Sequence, residues 1–288
     1  MAKAGLYSGE IVENAPANGA ATTKQNGHQW MSWGTATPPP TKTANELIKE
    51  AGPHAMYTFQ DASFATTLID EMGTYPLTTN IQPAGSAPVV VANPWRSTNA
   101  QYCQMTTAQD STFDDAHPWE GGNLMFDVAS GLATDFTLIW GFRITDGDYS
   151  GFKGMLEARS DIDDQKFSIY RPDGGTQLVC DMLDSGNQNN YGAFYGQSDN
   201  LSDGLPHIIS WRKSGTVLEY KADNRNWTTA TASTPYFNDL NQLSFKIGST
   251  ALGFTTLSAD HDVGAVYGKT LTREQIELIH TTYRNEII

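Results

Sequence analysis

An all-β sandwich carrying an N-terminal arm is the fold class that this sequence predicts, and three observations predict it. From about residue 55 the chain is a succession of short runs rich in β-branched and aromatic residues. Turn formers separate those runs, with 26 Gly and 13 Pro among many Asn, Asp, Ser and Thr. Almost no helical periodicity lies between them, which favours packed sheets over alternating strands and helices.

The first 54 residues differ in texture. "NAPANGAATTKQNGHQW" and "GTATPPPTKT" are poor in large aliphatics, so this stretch buries too little apolar surface to offset the entropy of ordering it alone. It reads as an extended docking arm over residues 1–54, with Pro38 to Pro40 as a stiff spacer. One short helix is predicted inside it. Thr43 is placed as N-cap, Glu46 closes a capping box, and Gly52 stands where a C-terminal glycine belongs.

The sandwich is predicted over residues 55–288, from eleven strand candidates: 55–59, 87–92, 123–128, 136–144, 153–158, 166–171, 176–182, 207–213, 216–222, 243–248 and 263–268. Some alternate, as in Ile209 and Trp211 against Ser210 and Arg212, a pattern with one buried and one exposed face. "FTLIWGF" is apolar throughout and belongs at the centre of a sheet. "RPDGGT" and "KSGT" are hairpin connections. Near the end Thr272 is an N-cap with Gln275 three residues on, Leu271 and Ile276 form a staple, and Ile276, Ile279 and Tyr283 share a face. A short helix therefore closes the sandwich. No repeat of 20 to 50 residues argues for a propeller or solenoid.

Charge and cysteine content exclude several classes. With 18 basic and 32 acidic residues the net charge is −14, and no basic stripe exists to neutralise phosphates. Two cysteines, Cys103 and Cys180, cannot form a disulfide framework, and whether they pair is left open. No apolar run suits a secretory leader or a membrane span, so a chain without an export address is expected.

The order of elements from "LPHIISWRKSGTVLEYKADNRNWTTAT" (205–231) through "LSFKIGS" to "GAVYGKTLTREQIELI" resembles the laminin G-like and concanavalin A-like jelly rolls. "AMYTFQDASFATTLIDEMGTYPLT" (55–78) is similar to that family's opening strand. The resemblance covers residues 55 to 283 and implies a two-sheet antiparallel jelly roll. It implies little about activity, since that fold hosts lectins, glycosidases, lyases and architectural domains. The chain departs from the family at "EYKADNRNW", where relatives often carry a Tyr-Val-Asp-Gly turn, and in a long insert over 80–122.

No catalytic constellation emerges. The Glu-x-Asp-x-Glu pattern of jelly-roll glycosidases is missing, and the nearest acids, Glu157 and Asp161, straddle a strand end and a turn. The six histidines are isolated, and no nucleophile elbow or phosphate loop occurs. Asp260 and Asp262 in "SADHDVG" are weak calcium candidates of a kind found on jelly-roll rims, but calcium wants six to eight oxygens and the pattern fits a turn better. Metal and cofactor are otherwise not expected. The segment "DSGNQNNYGAFYGQSDN" offers Asn187, Asn190, Tyr191 and Tyr195 as carbohydrate-binding candidates, because planar amides and aromatic faces are what a pyranose needs. The bland alternative is a Gly-rich connector whose tyrosines pack on the sheet. Trp140 and Trp211 sit in strands and read as core.

Arm and jelly roll together point to a non-catalytic structural protein of a tailed-bacteriophage virion, a capsid decoration or tail appendage. Such a protein docks on other virion proteins through residues 1–54, and a homo-oligomer located in the virion is expected. The alternative is a lectin-like module for surface glycans, with a polysaccharide-degrading enzyme less supported. Neither nucleic acid nor membrane is an expected partner.

Overall fold

The computed structural model describes residues 21–25, 28–32, 42–63, 67–79, 88–105, 119–123, 135–145, 147–160, 166–183, 194–195, 200–231, 243–247 and 255–288, some strands by backbone alone. The chain divides into two compact units, Met1–Lys42 and Thr43–Ile288. In the first, β1 (Ala21–Gln25) and β2 (His28–Ser32) form an antiparallel hairpin. The pair between them, Asn26 and Gly27, is the one a two-residue hairpin loop favours, a signal hidden in an otherwise polar stretch.

The second unit begins earlier than the expected boundary at residue 55. Helix α1 (Ala44–Glu50) has the expected capping box from Thr43 and Glu46, and Gly52 follows with φ of 68°, but the helix is not part of an arm. Its buried residues Ala44 and Ile48 share one apolar cluster with Ile276, Ile279 and Tyr283 of α2 (Arg273–Glu286). An amphipathic turn of helix next to such a surface gains more by burial than by reaching outward. In α2 the predicted cap, staple and buried face are all present.

Two sheets form the jelly-roll sandwich. One runs in the order β16 (Thr228–Thr231), β15 (Val217–Ala222), β14 (Pro206–Ser214), β9 (Phe136–Ile144), β19 (Ala259–Tyr267), β7 (Gln101–Met105) and β6 (Val89–Ala92), with β3 (Ala55–Tyr57) also beside β19. The other runs β13 (Phe194–Tyr195), β12 (Val179–Leu183), β11 (Lys166–Arg171), β10 (Lys153–Ser160), β17 (Leu243–Ile247), β8 (Trp119–Asn123), β5 (Leu77–Thr79) and β4 (Thr67–Leu68), with the short β18 (Thr255–Thr256) parallel to β10. The expected strand at 123–128 meets β8 only at Asn123, and its remainder lies outside the described residues.

Side chains from both sheets meet in one core that includes Tyr57, Leu77, Leu138, Trp140, Phe142, Leu156, Ile169, Ile209, Trp211, Leu218 and Ile247. Trp140 and Trp211 are fully buried, as expected, and Trp211 packs on its cross-strand partner Tyr220 with ring centroids 4.8 Å apart. A second cluster lies on the opposite face of the first sheet, under the two helices. It takes Ile139, Ile208, Val263, Ala265 and Tyr267 from the strands. Double coverage explains why β9 is apolar along its whole length: Leu138, Trp140 and Phe142 face the other sheet, and Ile139 faces the helices. It also corrects the expectation that Ser210 is on an exposed face, since Ser210 is fully buried and bonded to His280 of α2.

A glycine permits the tightest contact in this core. Gly264 of β19 stands opposite Trp140 of β9, and a methyl group built on it would overlap the indole ring. The atoms it would meet are ring atoms of a fully buried indole. Gly264→Ala is therefore expected to lower stability by about 1–3 kcal/mol, as overpacking of a dense core does, read as a shifted urea midpoint at unchanged slope. An unshifted midpoint would show that Trp140 has another place to go.

Candidate functional site

The residues singled out in the sequence are scattered. Asn187, Asn190 and Tyr191 lie outside the described residues. Tyr195 is the last residue of β13, at an edge of the second sheet, paired with Val179. Glu157 is in β10 opposite Ser168 and Lys246, while Asp161 is outside the described residues. Cys103 is a buried free thiol, and burial drives its pKa well up, so it is an inert core residue.

Asp260 and Asp262 are strand residues, not turn residues, and both are fully buried in β19. Both oxygens of each are taken by protein donors. Arg143 Nε donates to Asp260 Oδ2 at 2.8 Å and Gln104 to Oδ1 at 3.2 Å. Arg96 donates to Asp262 Oδ2, and Asn93 and Asn99 reach Oδ1 at 2.9 and 2.6 Å. Burial lifts both carboxyls above the ordinary range, with the arginines pulling the other way. Cationic and amide donors thus occupy the positions a calcium ion would need, and no cluster of three or more metal-ligating side chains occurs among the described residues.

One pair has the geometry of a nucleophile and its base. Ser210 Oγ lies 2.7 Å from His280 Nε2, and His280 Nδ1 lies 2.9 Å from the Asp223 carbonyl. Both side chains are fully buried beneath α2, so no substrate reaches the hydroxyl. Burial also pushes the His280 pKa down to about 4, which keeps the ring neutral, and the pair acts as a hydrogen-bonded seam between helix and sheet.

The first sheet presents a more open arrangement at the turn joining β15 to β16. Asp223 holds that turn in the left-handed region with φ of 47°. Its carboxylate takes hydrogen bonds from His207 Nδ1 at 2.8 Å and from the Ile208 amide at 3.0 Å. The buried Lys221 ammonium donates to the Arg225 carbonyl at 2.7 Å, fixing the turn from its other side. Asn224 and Asn226 are exposed at the tip, and the half-buried Trp227 follows, its indole N–H donating to Glu277 of α2 at 2.8 Å.

An open cleft of about 370 Å³ results, lined by Lys221, Asn224, Arg225, Asn226, Trp227, Glu277 and Thr281. A neighbouring cleft of about 410 Å³ is lined by Arg212, Arg273, Glu274 and residues 270–272. Trp227 stands between them electrostatically: the cations of Arg212, Lys221 and Arg273 lie 5.6, 5.6 and 5.3 Å from its ring. Arg212 and Arg273 also converge on one carboxylate, Glu219. Burial alone would raise the Glu219 pKa, but these two guanidinium groups more than reverse that and hold it below the ordinary value.

Sequence reasoning passed over this site although its signal was present. "EYKADNRNW" departs from the jelly-roll pattern, and it alternates cations, amides and a tryptophan over a strand end and a turn. What it lacked was α2, which supplies Arg273, Glu277 and Thr281 from far along the chain.

The architecture defines a two-sheet jelly roll with a shallow polar site on one sheet's edge. No protein-family model matches the chain, and no curated protein matches it in sequence. Among solved structures it is similar to the receptor-binding domain of botulinum neurotoxin type G, with 13% identity and a TM-score of 0.53 over 80% of this chain and 51% of that one. It is similar to the binding domain of botulinum neurotoxin DC in complex with SialylT, with 9% identity and a TM-score of 0.53 over 80% of this chain and 50% of that one. Trypanosoma rangeli sialidase in complex with the inhibitor DANA matches with 10% identity and a TM-score of 0.53 over 78% of this chain and 32% of the enzyme. The chain spans about half the length of the two toxin domains and about a third of the sialidase. At such identities the likeness establishes the fold.

Proposed function

We propose that this jelly roll is a non-catalytic carbohydrate-binding module and that the Trp227 cleft is its ligand site. The cleft is the observation that carries the reading. Two exposed amides, a half-buried indole and fixed charges surround a space the size of one or two sugar units. Support from the comparisons is at the level of fold, where binding domains and a glycan-processing enzyme share this sandwich. The expectation of a virion protein gains no support from them. Docking through the N-terminal segment stays a proposal, with residues 43–54 assigned to the sandwich unit. Catalysis is disfavoured because the Ser210 and His280 pair is sealed from solvent.

Glycan-array screening followed by calorimetric titration tests the proposal. Trp227→Ala is expected to weaken binding of any hit at least about fivefold, since truncating an aromatic anchor of a binding site costs above about 1 kcal/mol. Near-ultraviolet circular dichroism should stay close to the parent's. Binding that survives this substitution unchanged would move the site elsewhere.

A further inference from the structure

Charge at the Trp227 site is arranged against the trend of the molecule. The chain carries −14 overall, yet Arg212 of β14, Lys221 of β15, Arg225 of the following turn and Arg273 at the start of α2 line the two clefts beside Trp227. Acids nearby compensate only in part. Glu219 is shared by two guanidinium groups, and Glu274 faces the same pair, so Glu219, Glu274 and Glu277 stand against the four cations. Glu277 accepts from the indole N–H, and Lys221 has a carbonyl, not a carboxylate, as its hydrogen-bond partner.

Two guanidinium donors are left over. Arg212 uses Nε on Glu219 and Nη1 on the Leu271 carbonyl, and Arg273 uses Nε and Nη2 on Glu219. Arg212 Nη2 and Arg273 Nη1 therefore have no partner among the described residues. Trp227 holds both guanidinium groups and the ammonium close to its ring, so their positions are fixed before any ligand arrives. Preformed forked donors beside amides match a planar or tetrahedral anion carried on a sugar.

We infer that an acidic glycan spans the two adjoining clefts at Trp227, its terminal sugar bearing a carboxylate or a sulfate that Arg212 and Arg273 receive in one cleft while Lys221, Asn224 and Asn226 bond its hydroxyls in the other. This inference rests on the carbohydrate-binding reading and sharpens it to one ligand class. Local concentration of cations against a repulsive overall field makes the selection short-range, so a free-standing polyanion such as nucleic acid gains little.

Calorimetric titration of the full chain with lactose, 3′-sialyllactose and 3′-sulfated lactose tests it. Either acidic probe is expected to bind at least about tenfold tighter than lactose, with the advantage shrinking between 50 and 500 mM salt as screening grows. Whichever acid leads identifies the carboxylate or the sulfate as the group read. Arg273→Gln should bring the ratio of acidic to neutral affinity toward one, and Arg273→Lys should retain part of it. Equal affinity for lactose and the acids would overturn the inference and leave the carbohydrate reading standing. An acid preference untouched by Arg273→Gln would also overturn it, by placing the anion elsewhere. Absence of binding to every sugar on a broad array would remove both.

Discussion

Replacing Arg96 by Met is expected to lower the stability of the sandwich unit by about 3–5 kcal/mol, the cost of leaving buried charges without their partner. Arg96 is 1% exposed and joins three elements that are far apart in sequence. Its Nε donates to Glu286 at the end of α2 and its Nη2 to Asn45 of α1, each at 2.8 Å, while Nη1 reaches Asp262 of β19. The guanidinium also lies 4.6 Å above the Tyr283 ring. Glu286 in turn accepts from the Ala44 amide at 2.7 Å, so one arginine closes both helices onto the sheet.

Removal strands Asp262, which has no exposed surface, and Glu286, which has little. Burial already pushes the Asp262 carboxyl upward. Without Arg96 it takes up a proton, which limits but does not remove the loss. Urea unfolding of Arg96→Met against the parent measures the total. Adding Asp262→Asn should recover a fraction, because a neutral amide no longer demands a cation, and amide exchange should rise first in α1 and α2. A loss below about 1 kcal/mol would mean that water or a rearranged neighbour replaces the arginine.

That hub shows what was legible in the sequence and what was not. Local rules spoke clearly where a structure is made by neighbours in the chain: the capping boxes at Thr43 and Thr272, the apolar run of β9 and the Ile276, Ile279 and Tyr283 face all appear as expected. They failed where a partner came from elsewhere. "SADHDVG" looks like a loop because two acids and a histidine are poor strand residues in isolation. Arg96, Arg143 and the Trp140 indole make them good ones, since each meets a group of these three residues. β7 was missed for a similar reason, its Gln101 and Gln104 breaking the apolar pattern while Tyr102, Cys103 and Met105 are buried. The Trp227 site is assembled from a turn and a helix about fifty residues apart, so no window of sequence contains it.

Acid titration gives the second large effect. Below pH 6.5 the sandwich unit is expected to lose stability steeply, and two buried histidines are the cause. His261 accepts from the Trp140 indole N–H through Nδ1 at 3.0 Å and stacks near Phe59, and its Nε2 has no partner among the described residues. Burial pushes its pKa down to about 3. His280, bonded to Ser210 and the Asp223 carbonyl, is pushed down to about 4, chiefly by burial; Asp223 raises it and Lys221 lowers it. In the unfolded chain both rings bind protons near pH 6.5, and in the fold they do not until far lower. The unfolded state therefore binds more protons throughout the interval, and stability falls as pH falls from 6.5 toward 4, by about 1.4 kcal/mol per unit for each ring.

His207 works in the opposite sense. Burial would lower its pKa, but Asp223 and Asp203 at 2.8 and 2.9 Å outweigh that and raise it, so its contribution is complete below 6.5 and is lost as pH rises through the folded value. The raised carboxyls of Asp260 and Asp262 also take up protons earlier in the fold and soften the acid limb. A stability maximum near pH 6.5 follows. The discriminating measurement is the slope of unfolding free energy against pH between 6 and 4.5 for the parent and for His280→Asn. Loss of one titrating ring should reduce that slope by about 1 kcal/mol per pH unit, whatever the substitution does to stability at neutral pH. An unchanged slope would mean that His280 is protonated in the fold and that the seam beneath α2 admits water.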